Sequence, residues 1–277
     1  MGQNRIFTEK VSEKSSLLLV DRSAMVQVKG VLWDMDGTLL DTETLSDEAM
    51  LLAIADAYTF TDPPTPPSQS DFTWEVKKSI IGTRSAEWSV TIDNWLSSTF
   101  TVTKNTSVSL AARWEHHLNN LCQGDSLRPM NGAIDLVNYF HEKGIPQAIA
   151  TSSVMDVVNH KRANVRINDA IFNKMDAIIT GDMVAKGKPA PDIYLLAANR
   201  LNVDIRSCIV FEDSVAGCQS GRSADASLVL SLPDPRYEES ERTSLFGDIS
   251  DLACKRDWSE VLQHFTLEGD NIMNKIK

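Results

Sequence analysis

The chain has 277 residues, 42% hydrophobic and 23% charged, the proportions of a folded globule rather than a disordered tail. At ~150 residues per domain this length allows about two domains, or one large α/β domain, with a core that needs no disulfide or structural metal. The 27 Lys and Arg against 38 Asp and Glu leave a formal charge of −11. That argues against a nucleic-acid binder, which carries a basic stripe, and any anionic substrate would need positive charge supplied locally.

Residues 1–28 contain one short apolar run, Leu17 to Val20, among Glu9, Glu13 and Asp21. They match neither a signal nor a transit pattern and are expected to form a loosely packed N-terminal extension. Near-continuous apolar runs follow at 31–33, 145–150, 177–179, 208–211 and 228–232, as strands covered on both faces require. Helical stripes lie between them: Ala133, Leu136, Val137 and Phe140, then Ile193, Leu196, Ala197 and Leu201. Alternating β and α predicts a parallel sheet with helices on both sides. Residues 44–124 break the alternation. They show no convincing strand and predict helices over 43–58, 74–98 and 107–121, interrupted by the stiff Asp62-Pro63-Pro64-Thr65-Pro66-Pro67 run. So long an excursion exceeds an ordinary crossover; it predicts a helical domain inserted into an α/β core of residues 29–43 and 125–277. The charge run Glu238-Glu239-Ser240-Glu241-Arg242 reads as a solvated surface.

Cys122, Cys208, Cys218 and Cys254 are scattered without metal-like spacing, which with the absence of an 18-residue apolar run suits a reducing, cytoplasmic home. The partners expected are a small molecule, with no nucleic acid and no membrane, for a monomer or homodimer.

Four polar clusters follow strand candidates, where open α/β sheets place ligands. In Asp34-Met35-Asp36-Gly37-Thr38 two carboxylates can share a pocket, a costly arrangement that a divalent cation relieves; an N-cap and turn is the alternative. Thr151-Ser152-Ser153 offers hydroxyls and N–H groups for a phosphate, or Ser153 caps the next helix with Asp156 as its capping-box partner. In Lys188-Pro189-Ala190-Pro191-Asp192, Pro189 is a candidate first helical residue. Lys188 would then stand at the positive helix end, where it makes better sense as a pocket cation. Glu212-Asp213 either holds a metal or caps the helix from Ser214.

Taken together, Asp-x-Asp-Gly-Thr, then Thr, Lys-Pro and Glu-Asp, each after a successive strand, resemble the haloacid dehalogenase-like hydrolase superfamily over roughly residues 29–232. The runs 145–153 and 187–194 are most similar to its pseudouridine-5′-phosphatase, glycerol-phosphate phosphatase and beta-phosphoglucomutase group. The resemblance implies a Rossmann-like core, with the insertion as a small helical cap. It implies Asp34 as nucleophile, forming an aspartyl-phosphate, and Asp36 as general acid and base. Mg²⁺ would be held by Asp34, the backbone carbonyl of Asp36 and Asp213, with Glu212 a further ligand directly or through water. Thr151, Ser152 and Lys188 would hold phosphoryl oxygens. Members that cleave carbon–halogen or phosphonate bonds lack an acid two residues after the nucleophile, so Asp36 favours phosphate esters.

Two departures stand out. The related mutases place an arginine three residues after a cap glycine, whereas Arg84, the cap specificity candidate, follows Gly82 by two. Relatives usually read Ala-Gly where Ala224-Asp225 stands, which asks Asp225 to adopt a left-handed backbone. The expected function is a Mg²⁺-dependent phosphatase of a sugar phosphate or nucleoside monophosphate. A phosphosugar mutase and a catalytically silent phosphate-binding scaffold are the alternatives. Trp74, Trp88, Trp95 and Trp114 are expected mainly in the cap core, with pocket lining by one of them as the lesser alternative.

Overall fold

The computed structural model describes residues 27–81, 85–105, 107, 109–123, 126–262, 265–268 and 271–274. In chain order the elements are β1 (Gln27–Val28), β2 (Gly30–Trp33), α1 (Glu43–Ala57), β3 (Tyr58–Asp62), α2 (Trp74–Lys78), α3 (Ser85–Thr99), β4 (Thr101–Lys104) and α4 (Leu110–Gln123). There follow α5 (Ala133–Glu142), β5 (Gln147–Ala150), α6 (Met155–Arg162), α7 (Val165–Ala170), β6 (Ala177–Ile179), α8 (Asp192–Arg200), β7 (Cys208–Glu212) and α9 (Val215–Ser223). The chain continues through β8 (Leu228–Ser231), α10 (Glu239–Phe246), β9 (Leu252–Ala253), α11 (Ser259–Leu262), β10 (Phe265–Glu268) and β11 (Asn271–Asn274).

The core is a six-stranded sheet in the order β6-β5-β2-β7-β8-β9, parallel throughout. All five expected strands are present in it. Their unbroken apolarity has a direct cause, since successive side chains enter opposite cores. Trp33, Ile149, Ile209 and Phe211 pack with α5 on one face, while Leu32, Ala148, Cys208 and Val210 pack with α8 on the other. Trp33 stacks on Phe211 at 4.0 Å between centroids, and its Nε1 donates to Gln147 Oε1 at 3.0 Å, satisfying the indole inside the core. The α5 stripe is wholly buried, and so are Ile193 and Ala197 of α8.

The excursion between β2 and β5 has its own core, in which Met50, Ala53 and Ile54 of α1 meet Trp88, Ile92 and Leu96 of α3. It is not purely helical. β3 and β4 form a two-stranded antiparallel sheet, joined through α2 and α3, that pairs Thr59 with Thr103 and Phe60 with Val102, so the expectation of no strand in 44–124 is wrong. Only Tyr58 falls within the helix expected over 43–58; residues 59–62 and Thr101–Lys104, with the aromatic and β-branched residues that favour strands, lie between the expected helices. Other differences are local. Gln27 and Val28, expected in the N-terminal extension, form β1 and pair with β11; residues 1–26 lie outside the described residues. The charge run at 238–242 opens α10 with a capping box between Glu238 and Glu241, and Glu241 also meets Lys78 of α2 at 2.9 Å. Asp225 adopts φ 64°, as its place required.

Candidate active site

The C-terminal ends of β2, β5 and β7 converge on one cleft. Asp34 follows β2 directly, and its Lys188 partner arrives from the loop before α8. Lys188 Nζ donates to Asp34 Oδ1 at 2.5 Å and to Glu212 Oε1 at 2.6 Å. The expected helix start at Pro189 is not observed: Pro191 is the N-cap and α8 begins at Asp192. A turn closed by Ala190 N donating to Gly187 O at 3.0 Å intervenes. Lys188 therefore lies in a turn, and the two carboxylates rather than a helix end explain its charge. Burial alone would lower its pKa, but Asp34 and Glu212 outweigh that and raise it.

Gly37 makes the turn after the two aspartates possible. It has φ 80°, and a Cβ there would lie 2.3 Å from Asp213 Oδ2. Thr38 Oγ1 donates to Asp213 Oδ1 at 3.3 Å, while Trp258 Nε1 anchors the same turn by donating to Thr38 O at 2.7 Å. Ser153 does not cap α6; Val154 is the N-cap residue and offers no side-chain bond. Instead Ser153 Oγ donates to Asp36 Oδ2 at 2.9 Å, and Lys161 Nζ donates to Asp36 Oδ1. Burial pushes the Asp36 carboxyl up, but the Lys161 charge and these hydrogen bonds prevail and hold it below the usual carboxylate range.

Glu212 and Asp213 have different surroundings, and Ser214 rather than either acid is the N-cap of α9. Glu212 is fully buried and its oxygens accept from five donors. Oε1 takes Lys188 Nζ and Tyr194 OH, and Oε2 takes the N–H groups of Asp213 and Ser214 and the Ser214 hydroxyl. With its lone pairs thus used, Glu212 positions Lys188 and the start of α9, and direct ligation of a metal by it is the part of the expected set that the geometry disfavours. Ser214 caps α9 by accepting from Gly217 N at 3.1 Å. Gly217 is obligatory there, because a Cβ would stand 1.7 Å from Glu212 Oε1.

Asp34, Glu212 and Asp213 offer carboxylate oxygens that all lie within 4.8 Å of one another. Burial pushes the Asp34 carboxyl up to about 7, despite Lys188, and raises Asp213 well above the carboxylate range. One lysine cannot neutralise two buried acids and a half-buried third, so Asp34 and Asp213 fit a hard divalent cation bound by oxygen. Asp34 and Asp213 both face the cleft.

The cleft has a volume of about 920 Å³ and also exposes Asp36, Thr151, Ser152 and Lys188. Its far wall comes from the inserted region, with Trp88 and Trp114 among polar Ser46 and Lys77, and Glu43 borders it at the start of α1. Trp74 instead sits where the insertion meets the core, edge-on to Tyr237 and under the Arg236 guanidinium. Arg84 lies outside the described residues. Lys161, Glu43 and Lys77 were not anticipated as site residues; His160, Lys161 and Arg162 close α6, where basic residues merely complement the helix dipole.

The fold and site define a class: an α/β enzyme core with an inserted cap, carrying a carboxylate nucleophile candidate beside a buried lysine and an acidic cluster that could hold a cation. Residues 28–225 match the family model described as haloacid dehalogenase-like hydrolase. The chain belongs to that hydrolase family. It is 31% identical over 228 residues to a probable pseudouridine-5′-phosphatase of Drosophila melanogaster, covering 79% of this chain and 87% of that protein. It is 30% identical over 222 residues to (DL)-glycerol-3-phosphatase 2 of Arabidopsis thaliana, covering 76% and 82%. Among solved structures, a putative beta-phosphoglucomutase from Thermotoga maritima superposes with a TM-score of 0.64 at 22% identity, covering 82% of this chain and 94% of that one, and shares the fold. A haloacid dehalogenase family IA hydrolase from Entamoeba histolytica gives 0.61 at 26% identity, covering 83% and 93%. No helix among the described residues is long and apolar enough to cross a membrane.

Proposed function

We propose that the chain is a Mg²⁺-dependent phosphatase of a small phosphorylated metabolite, a sugar phosphate or nucleoside monophosphate, acting through an aspartyl-phosphate on Asp34. The observation that carries this reading is the meeting, in one cleft, of a buried carboxylate (Asp34), a buried cation (Lys188) and a second acid (Asp36). Asp34 attacks phosphorus while Thr151, Ser152 and Lys188 hold the phosphoryl oxygens. Asp36 then protonates the leaving oxygen and later takes a proton from the attacking water. Asp34, the Asp36 carbonyl and Asp213 would hold Mg²⁺, which supplies charge neutralisation at the phosphoryl group when bound. Residues 44–124 serve as the cap that selects the leaving group, over a core of 29–43 and 125–277. The cleft volume suits a metabolite rather than a macromolecule, and both relatives described above are named as phosphatases of small esters.

The test is phosphate release from a broad panel of phosphometabolites, with Mg²⁺ and with excess chelator, followed by fluoroberyllate trapping of Asp34. Release without any bisphosphate activator separates this reading from a mutase. Full activity in chelator after dialysis would refute the metal role.

A further inference from the structure

Lys161 has an environment that neither the fold nor the roles above explain. It lies at the end of α6, 2% exposed, with its ammonium on Asp36. Burying a lysine costs several kcal/mol unless it is paired, and a solvent-facing lysine would serve the α6 dipole equally well. α6 packs on α4, whose Cys122 is buried near this pair, so the ammonium approaches Asp36 from inside the protein. Ser153 reaches the other oxygen of the same carboxylate at 2.9 Å. Both oxygens are therefore gripped from the side of β5 and α6, while Asp36 still opens onto the cleft.

We propose that Lys161 and Ser153 form a clamp that orients the Asp36 carboxyl for both of its proton transfers, making Lys161 a positioning residue of the reaction. The inference rests on the phosphatase reading. In the first half-reaction the Asp34 O–P bond forms, the P–O bond to the leaving group breaks, and the leaving oxygen takes the Asp36 proton. In the second, the water O–P bond forms, the Asp34 O–P bond breaks, and the proton of the water goes to Asp36. One carboxyl must lie near both oxygens in turn, and the two rotatable bonds of an aspartate do not fix that direction by themselves.

A misdirected Asp36 has consequences that depend on the leaving group. p-Nitrophenolate departs without a proton, so p-nitrophenyl phosphate should still phosphorylate Asp34 while the following hydrolysis stalls. The experiment is stopped-flow p-nitrophenol release by Lys161→Met, Lys161→Arg and Ser153→Ala enzymes in Mg²⁺, with intact mass measured on quenched samples. For Lys161→Met, steady-state turnover should fall roughly 10- to 100-fold, within the range of general acid–base contributions. An initial burst near one equivalent should remain, and the protein should carry an added phosphoryl group. Lys161→Arg should turn over faster than Lys161→Met, and Ser153→Ala should show the same pattern more weakly. Because Ser153→Ala acts on the opposite oxygen, it tests the clamp even where Lys161→Met does not fold. Burst and turnover falling together, or wild-type turnover in both Lys161→Met and Ser153→Ala, would overturn the clamp. A wild-type enzyme inactive on both p-nitrophenyl phosphate and the metabolite panel rejects the phosphatase reading itself, before any substitution is made.

Discussion

Replacing Lys188 by methionine removes a charge while nearly conserving side-chain volume. The ammonium lies 2.5 Å from Asp34 and 2.6 Å from Glu212, with only 5% of the side chain exposed. Removing one partner of a buried ion pair typically costs about 3–5 kcal/mol, because the remaining charge is left uncompensated. Here two carboxylates are left, but Asp34 can take up a proton with little further cost, since its pKa already lies at about 7. The expected loss is therefore about 3 kcal/mol at pH 8, measured by urea unfolding in chelator. The sign with pH follows from linkage. Without Lys188 the folded-state pKa of Asp34, already above its unfolded value, rises further, and that of Glu212, now held down by Lys188, rises too. An acid raised in this way stabilises the fold only while protonated, and that contribution fades as pH climbs toward the folded pKa. The penalty should thus shrink from pH 8 toward pH 5.5. In the metal-loaded enzyme kcat/KM should fall by about 10²–10³ for every ester alike, as for the loss of one preorganised electrostatic contact. A variant within 1 kcal/mol of wild type at pH 8, using about 3 kcal/mol as the reference, or a penalty that grows toward acid, would refute this account of the pair.

Asp34→Asn should leave the fold intact and less than about 1% of the phosphate-release rate, once mass spectrometry has excluded deamidation back to aspartate. Asp213 is raised well above its ordinary pKa by burial and by neighbouring carboxylates, so its ionisation destabilises the metal-free fold as pH rises. Asp213→Asn should accordingly melt higher than wild type in chelator at pH 8 and lose the Mg²⁺-induced rise in Tm; a lower Tm with the Mg²⁺ response kept would refute the role. Trp88→Leu, in the cap wall of the cleft, should reorder specificity constants across the phosphate panel, and an even scaling of all substrates would count against a cap that selects the leaving group.

What the sequence made legible depended on contrast along the chain. The five central strands stood out because both faces are buried, and four of the site clusters stood out because each places polar residues at the end of an apolar run. The β3–β4 sheet lacked that contrast. Only Tyr58 is buried in β3, and the other residues of the pair are exposed or half-exposed, so its pattern is faint beside the strong helix before it. β9, with two residues, is too short for any period to register. Lys161 was hidden for another reason, since its partner lies 125 positions away and a lysine ending a helix is unremarkable locally.

The pair Glu212-Asp213 shows how far pattern could have gone. Side chains alternate along a strand, and Cys208 and Val210 enter the core on the α8 side, whereas Ile209 and Phe211 enter the opposite one. Continuing the count places Glu212 beneath the sheet edge on the α8 side, where Tyr194 and Lys188 receive it, and leaves Asp213 to turn toward the cleft. In a half-exposed strand such counting is guided by polarity; in β7 every residue is buried, so nothing in the sequence marks the faces. Two adjacent acids that look equivalent as letters thus differ in physical role. Glu212 works through a lysine and a helix start, while Asp213 would be left to hold the proposed cation, so Glu212→Gln should disturb the Lys188 contact without abolishing Mg²⁺ binding, the loss expected of Asp213→Asn.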